Sequence, residues 1–166
     1  MDNQRRALCF TGHRPDKLGF TQREEDELRL RLQMRIVQAV SEGYTDFYCG
    51  MAMGVDIIAG ELVASLRQQY PEIRLIAVIP FPAQSRNWND MWRARWSALL
   101  NLADEKVTLY PVFRRGCYHA RNRYMVDRSE RVIAVYDGSL SGGTFTTVSY
   151  ARKKGVPVEL IAPQKS

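Results

Sequence analysis

Cysteine and histidine are scarce in this 166-residue chain. It contains three cysteines, Cys9, Cys49 and Cys117, and two histidines, His13 and His119, with no CxxC pair among them. An odd number of cysteines without paired spacing does not predict a disulfide framework, and so few nitrogen and sulfur ligands make a zinc site unexpected. Because Cys9 and Cys49 lie in apolar runs, we expect buried, reduced thiols, which fit a reducing cytoplasm.

Long apolar segments are missing as well. No run approaches the roughly 18 apolar residues that a membrane span needs, and the amino terminus, MDNQRRALCF, has no apolar segment of the secretory type. These features predict a cytoplasmic protein without a membrane partner. The length fits a single domain over residues 1–166, and a composition of 45% hydrophobic and 25% charged residues is typical of globular proteins.

Positive charge is in excess. The 24 lysines and arginines outnumber the 18 acidic residues, which gives a formal charge of +6. Such a charge permits an anionic partner, either a nucleotide or a nucleic acid. Charge by itself favours the simpler interpretation of a solvated basic surface, so a binding site has to be sought in the motifs.

Apolar runs and helical periodicity alternate from one end of the chain to the other. The apolar runs predict strands near 6–11, 45–49, 73–81, 106–110, 131–137 and 158–162. Helices are predicted between 21 and 43 and near 55–69, 86–102, 119–129 and 144–154. The first helix begins with capping-box spacing, Thr21 and Glu24. Repeated β-α units predict an α/β protein with a Rossmann-like, doubly wound, predominantly parallel sheet of about six strands and helices on both faces.

The loop after the first strand reads Gly12-His13-Arg14-Pro15. In open α/β sheets, ligands bind beyond the carboxyl ends of the strands, so this loop is a candidate binding segment. Gly12 lets the backbone approach a ligand closely, and Arg14 offers a planar fork of donors that suits a phosphate. A tight turn that carries a surface arginine explains the same residues equally well.

The loop after the second strand, GMAMGVD, runs directly into a helix start. It contains Gly50, Ala52, Gly54 and Asp56. The N–H groups of a helix start carry partial positive charge and favour an anion. The segment is neither GxGxxG nor a Walker P-loop, so the pattern taken alone is a weak signal. Asp56 either caps the helix or holds a ligand.

The loop after the fifth strand, DGSLSGGT, repeats this arrangement. It contains Ser141, Gly142, Gly143 and Thr144 at the start of a predicted helix. The glycines and hydroxyls suit a second edge of a phosphate site, and a flexible surface loop is the alternative interpretation.

The segment His119-Ala120-Arg121-Asn122-Arg123 opens the helix before the fifth strand. Two arginines and an amide at a helix start suit a ribose phosphate, whereas a solvated basic helix is the simpler interpretation. We expect Arg14 and Arg121 to be exposed side chains whose removal leaves the stability of the fold unchanged.

Three tryptophans, Trp88, Trp92 and Trp96, are spaced four residues apart in the predicted third helix, so they would share one face. Stacking on a nucleobase is one interpretation. Packing into the core or into an interface between two copies is favoured, and a homodimer is the oligomeric state that such an aromatic helix suggests.

Taken together, these segments resemble the SLOG superfamily, which joins DprA-type proteins and the LOG (lonely-guy) cytokinin-activating enzymes. TGHRPDKLG, from Thr11 to Gly19, and PFPAQSRNW, from Pro80 to Trp88, are similar to its small bacterial YpsA-like branch. CGMAMGVD resembles the S-G-x-A-x-G-I-D segment of DprA. ARNRYMVDRSERVIAVYDG and the following SGGTFTTVSYARKKGVPV resemble its R-N-R segment and its S-G-x-x-x-T-A-x-x-A region. These motifs occur in the right order along nearly the whole chain.

The resemblance implies a Rossmann-like sheet with strand one central, flanked by strand two and then strand three, and a pocket for nucleotide-derived ligands. It implies that Gly12 and Arg14, with His13 between them, meet phosphate. It further implies ligand contacts for Gly50, Ala52, Gly54 and Asp56 after strand two, for Arg121 and Asn122, and for Ser141, Gly142, Gly143 and Thr144. No metal is implied.

The chain departs from the LOG enzymes at one decisive position. Their P-G-G-x-G-T-x-x-E motif supplies a glutamate that acts with an arginine in cleaving a nucleotide N-glycosidic bond. When Gly143 and Thr144 are placed on its G-T pair, Thr147 stands where the glutamate belongs, although Arg121 is retained. Without the carboxylate, the general acid/base step has no obvious agent.

Three functions follow for comparison. The favoured one is a non-enzymatic sensor or regulatory module that binds ADP-ribose, NAD or a nucleoside phosphate such as AMP. The second is a LOG-like N-glycosidic hydrolase, in which Arg121 would be catalytic. The third is a DprA-like binder of single-stranded DNA, although 166 residues leave no room for the domains that usually flank the DprA core.

Overall fold

A computed structural model describes residues 4–15 and 21–163 of the chain. Within these residues, six β-strands alternate with five α-helices. The strands are β1 (Arg6–Gly12), β2 (Tyr44–Cys49), β3 (Arg74–Ile79), β4 (Glu105–Thr108), β5 (Arg131–Val135) and β6 (Val158–Ile161). The helices are α1 (Gln22–Ser41), α2 (Val55–Leu66), α3 (Asp90–Leu102), α4 (Cys117–Asp127) and α5 (Gly143–Lys153).

The strands form one parallel sheet in the order β4-β3-β2-β1-β5-β6. Strand β1 is central, so that Cys9 pairs with Tyr48 of β2 on one side and with Val132 of β5 on the other. The predicted Rossmann-like sheet and its 3-2-1 half are therefore confirmed. Because the chain leaves β1 towards β2 and later returns to the other side of β1, the loops after β1 and β5 diverge and open a crevice between them.

Helices cover both faces of the sheet, as the doubly wound pattern predicts. Leu8 and Phe10 of β1 pack into one apolar cluster with α1, α2 and α3, whereas Cys9 packs with α4 and α5 on the opposite face. All three side chains are fully buried. Alternate residues of a strand point to opposite faces, so a strand covered on both sides needs a continuous apolar run, which ALCF provides.

Helix α1 has the apolar face and the start that the sequence predicts. Leu28, Leu32 and Ile36 are buried against the sheet. The Thr21 hydroxyl accepts a hydrogen bond from the Glu24 N–H at 3.2 Å, and the Glu24 carboxylate accepts one from the Thr21 N–H at 2.9 Å. This reciprocal capping box satisfies two N–H groups that a helix start leaves unpaired.

The tryptophan helix is shorter than predicted. It begins at Asp90 and not near residue 86, because the Asn89 side chain accepts the Trp92 N–H at 2.9 Å and so caps the helix there. Trp88 lies in a preceding turn and does not share a helix face with Trp92 and Trp96, which are both buried in the core. The prediction of core packing is therefore confirmed for these two residues, and the homodimer stays a prediction.

Other helix ends differ slightly from the predicted ones. Helix α2 ends at Leu66 and not at 69, and α4 begins at Cys117 and not at 119. Among the residues that the structure describes, no helix has both the length and the apolar character needed to cross a membrane.

The capping box provides a test of the fold. Thr21→Ala is expected to lower the free energy of unfolding by about 1 kcal/mol, because an N-terminal N–H of α1 loses its side-chain acceptor. Urea denaturation measures this change. Ser97→Ala, at an exposed position inside α3, serves as the control and should change stability by less than about 0.5 kcal/mol. Equal stability of Thr21→Ala and the unmodified protein would contradict the assigned role of the cap.

Candidate functional site

A cleft of about 250 Å³ opens at the carboxyl edge of the sheet, beside the divergence of the β1 and β5 loops. The loops after β1, β2 and β5 and the first turns of α4 form its walls. The lining residues are Thr11, Gly12, His13, Arg14, Ala52, Asp56, Tyr118, His119, Arg121, Asn122, Gly142, Gly143 and Thr144. We refer to this depression as the cleft.

The cleft brings together most of the residues that the motifs single out, from four separate segments. Gly50, Gly54 and Ser141 do not line it. Ser141 is exposed on the glycine-rich loop, while Gly50 and Gly54 are buried behind the lining residues. The part of the TGHRPDKLG motif from Asp16 to Gly19 lies outside the described residues. That the gathered residues hold a ligand stays a prediction.

Gly50 supports the cleft from beneath, because no side chain fits at its position. A Cβ built on Gly50 would lie 2.9 Å from the Cζ of Arg121 and 2.9 Å from the Oδ2 of Asp56. The Gly50 carbonyl accepts hydrogen bonds from the Arg121 guanidinium and, at 3.2 Å, from the Gln84 amide. The absence of a side chain therefore lets the backbone lie between a buried arginine and a buried carboxyl.

At Gly54, the backbone conformation as well as the lack of space requires glycine. Its φ of +97° lies in a region that L side chains rarely adopt, and an added Cβ would lie 2.9 Å from Pro15 and 3.0 Å from the His13 carbonyl. The residue thus turns the chain into α2 directly behind the β1 loop. Its close packing brings the β1 and β2 walls of the cleft together.

The three helices that begin at the cleft carry no side-chain cap within the described structure. Helices α2, α4 and α5 start after Gly54, Gly116 and Gly142, none of which provides a capping hydrogen bond from a side chain. By contrast, α1 and α3, which begin elsewhere, are capped by Thr21 and Asn89. Uncapped N–H groups and the positive ends of three helix dipoles make the cleft favourable for an anion.

Arg121 and Asp56 form the charged floor of the cleft, and both are buried. Burial raises the pKa of Asp56 to about 6, although the nearby positive charge of Arg121 acts in the opposite direction. Burial likewise lowers the pKa of Arg121, and the Asp56 carboxyl opposes that shift. Asp56 Oδ2 also accepts the Ala52 N–H at 3.3 Å, so this side chain supports the glycine-rich turn as well as facing the cleft.

The burial of Arg121 corrects one expectation from the sequence. Its side chain is only 4% exposed, donates to the Gly50 carbonyl and, through Nε, to the Asn122 amide oxygen at 2.7 Å. Truncating it would leave the Gly50 carbonyl with one partner fewer and open a void beside Asp56, so the fold would not be unaffected. Arg14, in contrast, is exposed as expected.

His13 joins the β1 and β5 loops. Its Nε2 lies 3.1 Å from the backbone nitrogen of Asp137 and 2.9 Å from the carboxylate of the same residue. Bonds from Ser139 lower the pKa of Asp137, and His13 contributes in the same direction. The imidazole is only 5% exposed, so its main role in the structure is to hold the two loops at the mouth of the crevice together.

Tyr118 and His119 line the cleft but do not follow from the phosphate motifs. Tyr118 lies in the first turn of α4, and the Cζ of Arg121 is 5.9 Å from the centre of its ring. The sequence signal was present, since both residues lie within three positions of Arg121 and His119 opens the segment that contains it. The sequence did not show that α4 begins at Cys117, which places both residues in its first turn.

Thr147 does not reach the cleft. Its hydroxyl donates to the Gly143 carbonyl at 2.9 Å inside α5, and the side chain is buried. Among the residues that line the cleft, Asp56 alone bears a carboxyl group. Within residues 4–15 and 21–163, no group of three or more histidine, cysteine, aspartate or glutamate side chains is placed to hold a metal ion.

Comparison with known proteins identifies the family. The sequence profile named YpsA, described as the YspA SLOG family, matches residues 8–165. The chain belongs to this family. The match includes every segment that lines the cleft.

Relatives from Bacillus subtilis (strain 168) illustrate the similarity. The UPF0398 protein YpsA is 24% identical over 165 residues, which cover 94% of this chain and 92% of the relative. The uncharacterized SPbeta prophage-derived protein YoqJ is 33% identical over 141 residues, which cover 75% of this chain and 82% of the relative.

Two solved structures share the fold. DNA processing protein A from Helicobacter pylori, described for its single-stranded DNA binding mode, superimposes with a TM-score of 0.64 at 19% identity over 96% of this chain. DprA from Streptococcus pneumoniae gives a TM-score of 0.64 at 15% identity over 99% of this chain. The chain spans 66% and 52% of the lengths of these two proteins, and at such identities the likeness shows the fold alone.

The raised pKa of Asp56 predicts a pH dependence of stability. In the folded protein Asp56 keeps its proton up to about pH 6, whereas in the unfolded chain it releases the proton near its ordinary pKa of 3.8. The resulting stabilisation is complete below the ordinary pKa and is lost as the pH rises through the folded pKa. Unfolding free energies measured in urea at a series of pH values should reveal this loss.

Asp56→Asn is the matched variant, because an amide does not titrate and its oxygen can still accept the Ala52 N–H. Relative to the unmodified protein, the variant should gain up to about 3 kcal/mol between pH 4 and pH 6. Parallel curves of stability against pH for the two proteins would contradict the assignment.

Proposed function

We propose that this protein binds a nucleotide-derived ligand, such as ADP-ribose, NAD or AMP, with a phosphate group in the cleft, and acts as a sensor or regulatory module. The observation that carries the proposal is the convergence of three uncapped helix starts with two arginines on one cleft. Each of these features favours an anion, and together they surround a volume that suits a phosphate group.

Arg14 and Arg121 would each donate hydrogen bonds to the ligand from a different position in the cleft. Arg14 is exposed and makes no hydrogen bond or ion pair with the rest of the described chain, so its guanidinium fork is available to a phosphate. Arg121 uses Nη1 and Nε for Gly50 and Asn122, and its Nη2 makes no hydrogen bond among the described residues. A ligand oxygen in the cleft would accept a hydrogen bond from this Nη2 group.

Asp56 makes the proposed binding depend on pH. An ionised carboxylate on the floor of the cleft repels a phosphate, and burial keeps this carboxyl protonated up to about pH 6. A bound anion would in turn favour the protonated form. Affinity for an anion that does not itself titrate in this range, such as sulfate, should therefore fall as the pH rises through 6.

Arg14→Ala tests the phosphate site directly, with isothermal calorimetry of ADP-ribose, NAD and AMP. Loss of a charge-assisted, two-pronged contact is expected to weaken binding about ten- to hundredfold. Stability should barely change, because the side chain is exposed. Arg23→Ala is the control, since Arg23 is an exposed arginine of α1. Equal affinity of Arg14→Ala and the unmodified protein would mean that the phosphate is held elsewhere.

Arg121→Lys is the companion variant for the buried arginine. Lysine keeps the charge and fills most of the space, but it cannot donate to Gly50 and to a ligand with one planar group. Binding should weaken about tenfold, and circular dichroism should show a retained fold. The same affinity as the unmodified protein would exclude Arg121 from the binding site.

Single-stranded DNA is the second candidate ligand. It is favoured by the shared fold with DNA processing protein A, whose Helicobacter pylori structure is described for single-stranded DNA binding, and by the formal charge of +6. The two candidates differ in salt dependence. DNA affinity that rests on several phosphate contacts should fall by orders of magnitude between about 50 and 200 mM salt, whereas a nucleotide held by one or two phosphates should lose much less.

A further inference from the structure

A second depression, of about 580 Å³, adjoins the cleft. Its walls are the PFPAQSRNW segment at residues 80–88 and the loop between β4 and α4, and it shares Arg14 and Tyr118 with the cleft. We call it the aromatic groove, after its residues Phe81, Trp88, Phe113 and Tyr118. No residue of the PFPAQSRNW motif lines the cleft, although Gln84 supports it through the Gly50 carbonyl.

Three of the rings form a packed cluster. The ring centres of Phe81 and Phe113 are 5.6 Å apart in an edge-to-face arrangement, and those of Phe81 and Tyr118 are 6.1 Å apart in a similar one. Phe113 and Tyr118 are separated by 6.4 Å. Such edge-to-face contacts hold rings in defined orientations. The groove therefore has a prearranged aromatic wall.

The exposure of this wall is uneven in a way that points to a ligand. Phe81 is 8% exposed and anchors the cluster in the protein, whereas Phe113 is 60% exposed and the adjacent Val112 is 68% exposed. Large apolar side chains gathered at the rim of a concave site, rather than scattered singly, are typical of binding surfaces. The buried Phe81 holds the exposed Phe113 ring in place beside the opening.

Tyr118 connects the groove with the phosphate site. One contact of its ring is with the guanidinium of Arg121 on the floor of the cleft, at 5.9 Å, and the others are with Phe81 and Phe113 in the groove. Arg14 lines both depressions. A molecule with a phosphate at one end and a planar ring at the other would find a cationic subsite and an aromatic subsite in direct succession.

We propose that the aromatic groove holds the nucleobase of the nucleotide whose phosphate occupies the cleft. This inference rests on the function proposed above and specifies the part of the ligand that the phosphate site leaves open. The base would stack against the exposed ring of Phe113 and the half-buried Trp88, and the ribose would pass Tyr118. Base stacking on an aromatic side chain raises the affinity for a nucleotide by about tenfold or more.

A free nucleotide fits the groove better than a protein partner does. The aromatic wall leads into a cleft lined by backbone N–H groups and arginines, and Arg86 adds a further exposed cation at its edge. An apolar peptide segment would have no group to offer the cationic end. A nucleotide provides an apolar ring face and an anion in one molecule.

The test compares two probes, AMP and ribose 5-phosphate, which differ only in the base. Calorimetry is expected to show AMP binding at least about tenfold more tightly than ribose 5-phosphate to the unmodified protein. Phe113→Ala should lower AMP affinity about tenfold and leave ribose 5-phosphate affinity unchanged. Phe113→Tyr, which keeps the ring, should bind AMP as the unmodified protein does. NMR should show contacts between the purine protons and the Phe113 ring.

Two controls separate this inference from the function on which it rests. Met34→Ala removes an exposed apolar side chain of α1 and should change neither affinity. Arg14→Ala should weaken both probes. One outcome would reject the base site and keep the phosphate site. In it, Arg14→Ala weakens the binding of AMP and of ribose 5-phosphate, whereas Phe113→Ala either leaves the binding of both probes unchanged or weakens it equally.

Two further outcomes would overturn the inference. If neither probe binds the unmodified protein, the phosphate site fails and the base site fails with it. If Phe113→Ala weakens binding of an oligothymidylate but not of AMP, the groove receives the bases of single-stranded DNA instead of a free nucleotide. Thermal unfolding of every variant checks that the exposed substitution at Phe113 leaves the fold intact.

Discussion

The carbonyl of Gly50 is the point on which the cleft depends. It accepts hydrogen bonds from Arg121 of α4 and from Gln84, which follows β3, so the end of β2 is tied to one helix and one loop that come much later in the chain. Gln84 in turn accepts the indole N–H of Trp96 at 3.1 Å. This chain of bonds places a buried guanidinium beside a buried carboxyl. A buried polar network of this kind is stable only when its members are satisfied, which ties the shape of the cleft to the packing of the core.

Stability is given up where the ligand is proposed to bind. A side-chain oxygen of serine, threonine, aspartate or asparagine commonly caps a helix start, and glycine in its place costs roughly a few tenths of a kcal/mol. The chain has glycine at all three positions, Gly54, Gly116 and Gly142, and the helices begin without side-chain caps. In α2 the Ile57 N–H donates to the Ala52 carbonyl at 3.3 Å, whereas in α4 and α5 no hydrogen bond within the described residues occupies the N–H groups that a cap would bind. The buried Asp56 also lowers stability at the cleft. Its raised pKa means that the fold is destabilised when this carboxyl ionises at neutral pH, whereas a carboxyl exposed to water would have no such effect.

The family and the structural neighbours bear on different parts of the function. The YspA SLOG profile spans the cleft and the aromatic groove alike, because it matches residues 8–165. DNA processing protein A shares the sheet and its helices but is longer than this chain. The proposed phosphate site at the carboxyl edge of the sheet is compatible with either a free nucleotide or a DNA strand. The aromatic groove, continuous with that site through Arg14 and Tyr118, provides the means of distinguishing them.

The sequence by itself determined the parallel sheet and the segments that meet at its carboxyl edge, and its resemblance to the SLOG superfamily supplied the central place of β1. Apolar runs and glycine-rich turns carry that information locally, since strand ends on one edge of a sheet must converge. Only the tertiary structure decided which side chains face the cleft. The periodicity of α4 did not show that Arg121 is buried, and the spacing of the tryptophans did not show that α3 begins after Asn89 and so excludes Trp88. Burial and ring contacts arise between residues far apart in the chain, and no local pattern records them.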